Sequence, residues 1–321
     1  MTRSRGLRAP WTGPLAALVL VALLFSVLSH ETFASELNLV TMVRQTAVVG
    51  VASVGMTLII ILGGIDLSVG SAVALTTVVV ASLLRSGHGA FVASSFGVAA
   101  AAACGLLNGT LVGWLKMSPF IVTLGSMSLL RGAAKGFADE QKIDVDARGL
   151  EALLAPLPDG RGWMLLPIGV WITLALAAAV AALLKTTRIG RHVFAIGSNE
   201  ATARLVGIDV PRVKALVYVV AGILVGWAGV MEFSTLTVGD PTDSVGLELE
   251  VIAAVVIGGG SLSGGEGSIL GSLMGALLMT VIKTGCTHVG LPNWVQEIVT
   301  GIIIVVAVGV DRMRVRRTNS T

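Results

Sequence analysis

The residues best suited to chemistry in this sequence are polar groups that interrupt long apolar stretches. The segment LGGIDLSVGSAVAL, residues 62–75, places Asp66 between two such stretches. A carboxylate in hydrocarbon costs about 2.5–3.5 kcal/mol on insertion scales, so Asp66 must face water, a partner group or a helix N-terminus. Gly63 and Gly64 can end one helix, and the Asp66 carboxylate can accept backbone N–H groups in the first turn of the next. A cap and hinge is the favoured role for Asp66, and direct contact with a substrate or ion is the alternative.

A second glycine-rich segment repeats the first. GGIDLSVG at 63–70 and GGGSLSGG at 258–265 agree at five of eight positions, and each lies between two apolar stretches. Paired apolar segments interrupted by glycine are typical of transporters with broken helices around a central pathway. The candidate pathway and hinge residues are Gly63, Gly64, Asp66, Ser68, Asn108, Thr123, Ser126, Ser261, Ser263 and Glu266. Asn108 and Thr123 fit interhelical hydrogen bonds equally well.

The composition indicates which kind of structure holds these polar groups in place. Hydrophobic residues make up 54% of the 321 and charged residues only 13%, whereas soluble domains are about 25% charged. A membrane span needs about 20 mostly apolar residues. Ten segments qualify, some of them short: 13–29, 41–62, 67–84, 91–115, 119–134, 163–184, 214–233, 248–260, 265–282 and 294–310. The sequence therefore predicts an all-α integral membrane protein, one transmembrane domain over 1–321 with about ten helices, some short or broken at glycine-rich loops.

Several kinds of site are disfavoured by residue spacing. Cys104 and Cys286 form no paired CxxC, and the four histidines lie far apart, so neither a metal site nor a disulfide framework is expected. No GxxxxGK[ST] motif occurs, so any ATP must be hydrolysed by another chain. An intramembrane enzyme is disfavoured because Asp66 is the only aspartate well inside an apolar segment and no Ser–His pair has catalytic spacing.

Basic residues predict the orientation. With a cytoplasmic N-terminus, 14 of the 22 lysines and arginines fall on the inner side, as the positive-inside rule requires. Arg3, Arg5 and Arg8 precede the first apolar segment, which we expect to be an uncleaved helix rather than a secretory signal. The acidic loop 135–162 then faces the periplasm and the basic segment 185–213 the cytoplasm. These features predict a bacterial inner membrane protein with both termini in the cytoplasm, and nothing indicates nucleic acid binding.

The segment 185–213 contains a predicted surface helix. Ser198 or Asn199 can cap it, Glu200 lies in its first turn where the helix dipole favours an anion, and Gly207 can end it. An apolar face of Ala201, Leu205 and Val206 is suited to a groove on another protein. A solvated loop is the alternative.

Four motifs in order carry a family resemblance. GGIDLSVGS, MSPFIVTLGSMSLLRG, GSNEATARLVGIDVPRVKALVYVVAGILVGWAG and VIGGGSLSGGEGSILGSLMGALL resemble the permease subunits of bacterial ATP-binding-cassette importers of the ribose, xylose, arabinose and galactose type. The resemblance covers residues from about 40 to 310. It implies a permease that pairs with a second copy or a sibling, receives a monosaccharide from a periplasmic or lipid-anchored binding protein, and docks on an ATPase subunit that carries ATP and magnesium.

The resemblance also implies contact residues. The ATPase contact would fall on Asn199, Glu200, Ala201, Arg204 and Gly207, although the glycine stands one place later than in the common importer pattern of EAA, three residues and glycine. A further hypothesis, separate from the resemblance, places the binding protein on outer loops 135–162 and 234–247, where Asp139, Glu140, Asp240 and Asp243 can meet basic residues on its rim.

Two alternatives stay open. One is a permease of the same kind for branched-chain amino acids or another small solute. The other is a secondary transporter driven by protons or sodium, with Asp66, Glu232, Glu248 or Glu250 as the carrier.

Overall fold

The computed structural model describes residues 12–156 and 165–319. Within these residues the helices are α1 (Thr12–Leu28), α2 (His30–Phe33), α3 (Glu36–Ile61), α4 (Val69–Arg85), α5 (Ala90–Gly113), α6 (Pro119–Phe137), α7 (Ile168–Thr186), α8 (Arg188–Ser198), α9 (Glu200–Leu205), α10 (Val210–Leu236), α11 (Leu247–Ile257), α12 (Ile269–His288) and α13 (Asn293–Asn319). A 3₁₀ helix covers Leu150–Leu153, and the strands are β1 (Ile143–Asp144) and β2 (Val238–Gly239). Arg3, Arg5, Arg8 and residues 157–162 of the acidic loop lie outside the described residues.

Within the described residues, each of the ten predicted apolar segments overlaps a helix, and the all-α membrane class is confirmed. Six of the described helices are long and apolar enough to cross a membrane: α3, α5, α7, α10, α12 and α13. Helices α1 and α4 have 17 residues each, and α11 has 11. The count of about ten spans therefore stays a prediction.

Helix α3 is the centre of the bundle. Its residues 47–61 are all buried, packed against α10, α12, α7 and α11. Helix α10 also lies closely along α5, where a Cβ added to Gly109 would come within 2.8 Å of the Ala215 Cα. Glycine at this position allows the two backbones to approach, which is how membrane helices gain packing energy without a hydrophobic driving force.

The two ends of the bundle differ. At one end, called the β end, β1 pairs antiparallel with β2 and joins the acidic loop to the segment after α10, with Ile143 opposite Gly239. At the other end, called the α9 end, lie α8, α9 and the two glycine-rich loops 62–68 and 258–268. Helix α10 starts at the α9 end and finishes at the β end, so it connects the two.

Candidate translocation site

A polar cavity of about 610 Å³ lies toward the β end, between α3, α10, α11 and α12. The described polar residues that line it are Asn38, Thr41, Gln45, Glu232, Thr235, Asp243, Ser244, Glu250, Thr280, Lys283, Thr284, Thr287, His288, Asn293 and Gln296. Each of these helices contributes a polar face within an otherwise apolar sequence. The cavity thus offers many hydrogen-bonding groups to a solute inside a mostly apolar bundle.

Acidic groups outnumber basic ones in this cavity. Glu232, Asp243 and Glu250 line it, and Lys283 is the only lysine or arginine among the described lining residues. The Lys283 ammonium lies 3.4 Å from a carboxylate oxygen of the buried Glu250, and the lysine side chain remains 63% exposed. Opposite this pair the Thr284 hydroxyl donates to the Gln45 side-chain oxygen at 3.3 Å, bridging α12 and α3. The wall combines an ion pair with neutral donors and acceptors.

Two predicted pathway residues of the first glycine-rich loop join two others, on α5 and α6, in a linear chain of hydrogen bonds separate from the cavity. Asp66 Oδ1 accepts from the Ser68 amide at 2.8 Å and from the Ser68 hydroxyl at 2.5 Å. Asn108 Nδ2 donates to the Ser68 hydroxyl at 3.1 Å, and the Ser126 hydroxyl donates to Asn108 Oδ1. All four side chains are buried. We call this set, Asp66, Ser68, Asn108 and Ser126, the buried polar chain.

The buried polar chain connects three parts of the fold. Asp66 and Ser68 belong to the loop before α4, Asn108 to α5 and Ser126 to α6. Thr123 of α6 adds a bond from its hydroxyl to the Ile65 carbonyl at 3.1 Å. Asp66 accepts the Ser68 N–H as the sequence predicts, but the residue that flanks the first turn of α4 is Ser68 itself. None of these residues lines the cavity.

The second glycine-rich loop is tied to α13 instead. The Ser261 hydroxyl donates to Asp311 Oδ2 at 3.2 Å, and the Leu262 amide reaches the same oxygen at 3.4 Å. The side chains of Ser263 and Glu266 are exposed. The loop passes close to the first one, because a Cβ added to Gly264 would lie 3.0 Å from the Gly63 Cα. The two repeated segments are therefore neighbours in space at the α9 end.

The segment predicted to contact an ATPase forms helix α9. The Asn199 side chain accepts from the Thr202 amide at 2.9 Å, and Gly207 has a φ of +86° just after the helix. Leu205 is 87% exposed and Val206 71% exposed, and Ala201 is exposed as well. The helix therefore presents apolar side chains outward.

Glu200 is engaged within the chain. Its carboxylate lies 2.6 Å from the Arg204 guanidinium and 2.8 Å from the Lys214 ammonium of α10. Partial burial raises its pKa, but the hydrogen bonds from Lys214 and Arg204 outweigh burial and hold the pKa of Glu200 below its ordinary value. The ion pairs fix α9 against the start of α10, which positions the exposed apolar residues.

The four predicted docking carboxylates have different surroundings. Asp139 and Glu140 are exposed, beyond the end of α6. Asp240 is nearly enclosed: it pairs with the Lys142 ammonium at 2.9 Å and accepts from the Thr242 amide at 2.8 Å. The Asp243 carboxylate accepts from the Ser244 hydroxyl and borders the cavity. Asp240 thus joins the two outer loops to each other.

Sequence reasoning missed much of the cavity. The sequence predicts Glu232 and Glu250 only as possible carriers, and Gln45, Lys283 and Thr284 are not among the predicted site residues. A signal was present, since polar residues recur at helical spacing within two apolar helices. These residues are Asn38, Thr41 and Gln45 in α3, and Thr280, Lys283, Thr284 and Thr287 in α12.

Comparison with known proteins gives consistent matches along the chain. The family described as the branched-chain amino acid transport system permease component matches residues 38–308. The ribose import permease protein RbsC of Escherichia coli (strain K12) is 39% identical over 300 residues, 94% of this chain and 92% of that protein. RbsC of Bacillus subtilis (strain 168) is 39% identical over 304 residues, with the same two shares. The L-arabinose ABC transporter permease protein AraH of Azospirillum brasilense is 33% identical over 93% of this chain and 88% of that protein. No solved structure gives a significant match.

Proposed function

The chain belongs to the family of permease subunits of ATP-binding-cassette importers, and we propose that it is the subunit through which a monosaccharide, a pentose or hexose, crosses the bacterial inner membrane. A separate ATPase subunit hydrolyses ATP with magnesium, and a periplasmic or lipid-anchored binding protein delivers the sugar. The permease works as a pair, with a second copy or a sibling. The β end of the bundle faces the periplasm, and both termini of the chain lie in the cytoplasm.

The observation that carries the proposal is the polar cavity at the β end. Its volume, about 610 Å³, falls within the range of about 300–1,000 Å³ usual for small-molecule sites. Its hydroxyl, amide and carboxylate groups can replace the hydrogen bonds that a sugar makes with water. The names of the relatives narrow the solute to a sugar, since they specify ribose and arabinose.

The cavity is suited to passage rather than tight binding. No Trp, Tyr or Phe is among its described lining residues, and flat aromatic faces are what a tight sugar site normally provides. Selectivity then resides in the binding protein, and the permease supplies a weakly binding route. Weak binding is an advantage in transport, because a tightly held solute leaves slowly.

The ATPase subunits act on the permease at the α9 end, opposite the cavity. ATP binding closes the ATPase subunits, which carry the two α9 helices of the pair with them, and the bundles rock from inward to outward access. The exposed Leu205 and Val206 are the natural contact with the ATPase. Glu200 and Arg204 serve this contact by holding α9 in place. The exposed carboxylates of Asp139 and Glu140 meet basic residues of the binding protein.

Copurification from native membranes tests the proposal. The tagged chain, extracted in mild detergent, should bring an ATPase subunit with it, and a ribose-loaded binding protein should stimulate ATP hydrolysis. The same preparation in vesicles should accumulate labelled ribose only with ATP inside. Stimulation by leucine and not by sugars would assign the chain to amino acid import. Uptake that needs an ion gradient and no ATP would identify a secondary transporter.

A further inference from the structure

We propose that Gly197, Gly264 and Gly265 form a joint through which movement of α9 reaches both glycine-rich loops at once. The inference rests on the proposed function, because it concerns how a docked ATPase drives the permease. Its residues lie outside the coupling helix and outside the cavity. It assigns to them a positioning role in transport.

Three chain segments meet at this joint backbone to backbone. The Gly265 amide donates to the Ile61 carbonyl at the end of α3 at 2.8 Å. A Cβ added to Gly197, near the end of α8, would overlap the same carbonyl oxygen and would lie 2.7 Å from the Gly265 nitrogen. A Cβ added to Gly264 would lie 2.7 Å from the Gly197 carbonyl oxygen. Only glycine at position 197 allows this approach.

The joint is directly connected to the coupling helix. Helix α8 ends at Ser198, and α9 begins at Glu200, so a single residue separates them. A Cβ added to Gly265 would lie 3.3 Å from the Ser198 Cβ, which places the second loop against the last turn of α8. Any displacement of α9 along its connection to α8 therefore acts first on the joint.

Beyond the joint lie the elements that must move. Ile61 is followed by Gly63 and the loop that carries Asp66 into α4. Gly265 leads into α12, whose other end carries the cavity residue Lys283, and the loop before it is held to α13 through Asp311. Close backbone packing leaves no flexible side chain to absorb a displacement, so the three segments move as one body.

The first test is Gly197→Ala in the complete complex, with Gly132→Ala as the matched control because nothing lies within 4 Å of a Cβ at Gly132. The alanine methyl group displaces α8 from Ile61 and Gly265. We expect Gly197→Ala to retain the ATPase and hydrolyse ATP while sugar moved per ATP falls about tenfold, the usual size of a coupling effect. Gly132→Ala should keep the wild-type ratio. If the Gly197→Ala complex assembles and moves the normal amount of sugar per ATP, the proposal of a joint is wrong.

A second measurement uses the unmodified complex, so it does not depend on a variant that folds. Hydrogen exchange of the peptide containing the Gly265 amide should be slow both without nucleotide and with a non-hydrolysable ATP analogue. Fast exchange in either state would show that the joint opens, and would overturn the proposal even if sugar import is established. Failure of wild-type vesicles to take up sugar with ATP would instead reject the proposed function itself.

Discussion

The cavity and the buried polar chain are both sets of polar residues within apolar helices, but their hydrogen bonding differs. In the buried polar chain, hydrogen bonds join Asp66 to Ser68, Ser68 to Asn108 and Asn108 to Ser126. In the cavity, Lys283 is largely exposed and pairs with only one of three carboxylates. Groups that satisfy one another hold helices together, whereas groups left open to a cavity are available to a solute.

Polarity alone therefore does not identify a transport pathway. The buried polar chain joins three neighbouring elements near the α9 end, and none of its four residues lines the cavity. The cavity joins the consecutive helices α10, α11 and α12 to α3, which lies far from them in sequence. Changes at Lys283, Asn108 and Gln45 test the contrast, and changes at Glu200 and Lys142 then test the two ends of the bundle; they follow from the largest expected effect to the smallest.

Neutralising the cavity lysine should have the largest effect on transport. Lys283→Met leaves the buried Glu250 without its cation and leaves three carboxylates in the described cavity lining without a lysine. We expect the initial uptake rate per folded complex to fall by about tenfold or more, equivalent to about 1.4 kcal/mol. The initial rate of sugar uptake into vesicles that contain ATP measures this loss. Lys283→Arg, which keeps the charge, should retain most of the activity, and equal losses in both variants would argue against an electrostatic role.

Breaking the buried polar chain should affect stability instead. Asn108→Ala removes the partner of Ser68 and of Ser126. We expect a loss of about 1–2 kcal/mol, seen as a lower thermal unfolding midpoint in detergent, with uptake per folded molecule changed less than about twofold.

The matched control for Asn108→Ala is Gln45→Ala in the cavity wall. Gln45→Ala removes one bond, from Thr284 at 3.3 Å, so it should lower the midpoint less than Asn108→Ala does and should reduce uptake more. Should Asn108→Ala keep its stability and lose transport, the buried polar chain would belong to the pathway, and the contrast between the two regions would be wrong.

Reversing the ion pair that orients α9 should have a smaller effect at the α9 end. Glu200→Lys places three cations together with Arg204 and Lys214, while Glu200→Lys combined with Lys214→Glu restores one opposite pair. Exposed ion pairs contribute about 0.2–1 kcal/mol, so transport per ATP should fall by up to about fivefold in the single variant. Recovery in the double variant, measured as the ratio of uptake to ATP hydrolysis, would show that the pair positions α9. No recovery would mean that Glu200 contacts the ATPase directly.

The helices were predictable from sequence because hydropathy reports directly on runs of apolar residues. The segment 41–62 ends one residue beyond the observed α3, and 119–134 lies within α6. Span number is less predictable, since α11 is only 11 residues long. Length alone cannot decide whether such a helix crosses the membrane.

The site was predicted only in part. Asp66, Ser68, Asn108 and Ser126 were found because polar residues in apolar segments are conspicuous, and the structure brings these four together. Their separation from the cavity depends on which faces of α3 and α12 meet, and that is set by packing between distant segments. The spacing of polar residues in α12 predicts that Lys283 and Thr284 belong to a polar face. It does not predict which helix that face packs against.

The smallest expected effect is the pH dependence of the ion pair between Lys142 and Asp240 at the β end. Burial raises the pKa of Asp240, but the bonds from Thr242 and Lys142 outweigh burial and lower the pKa overall, while the bond to Asp240 raises the pKa of Lys142. A lowered carboxyl pKa gives stabilisation that is present above the ordinary value of about 3.9 and lost as pH falls through the folded value. A raised ammonium pKa gives stabilisation that is present below about 10.4 and lost as pH rises through the folded value. The pair is therefore intact across the neutral range, and the difference in unfolding midpoint between Lys142→Met and wild type should be the same at pH of about 5.5 and about 8.5. A difference that changed between these two values would show that another titrating group acts on the link between β1 and β2, and the β end would then respond to pH through more than this pair.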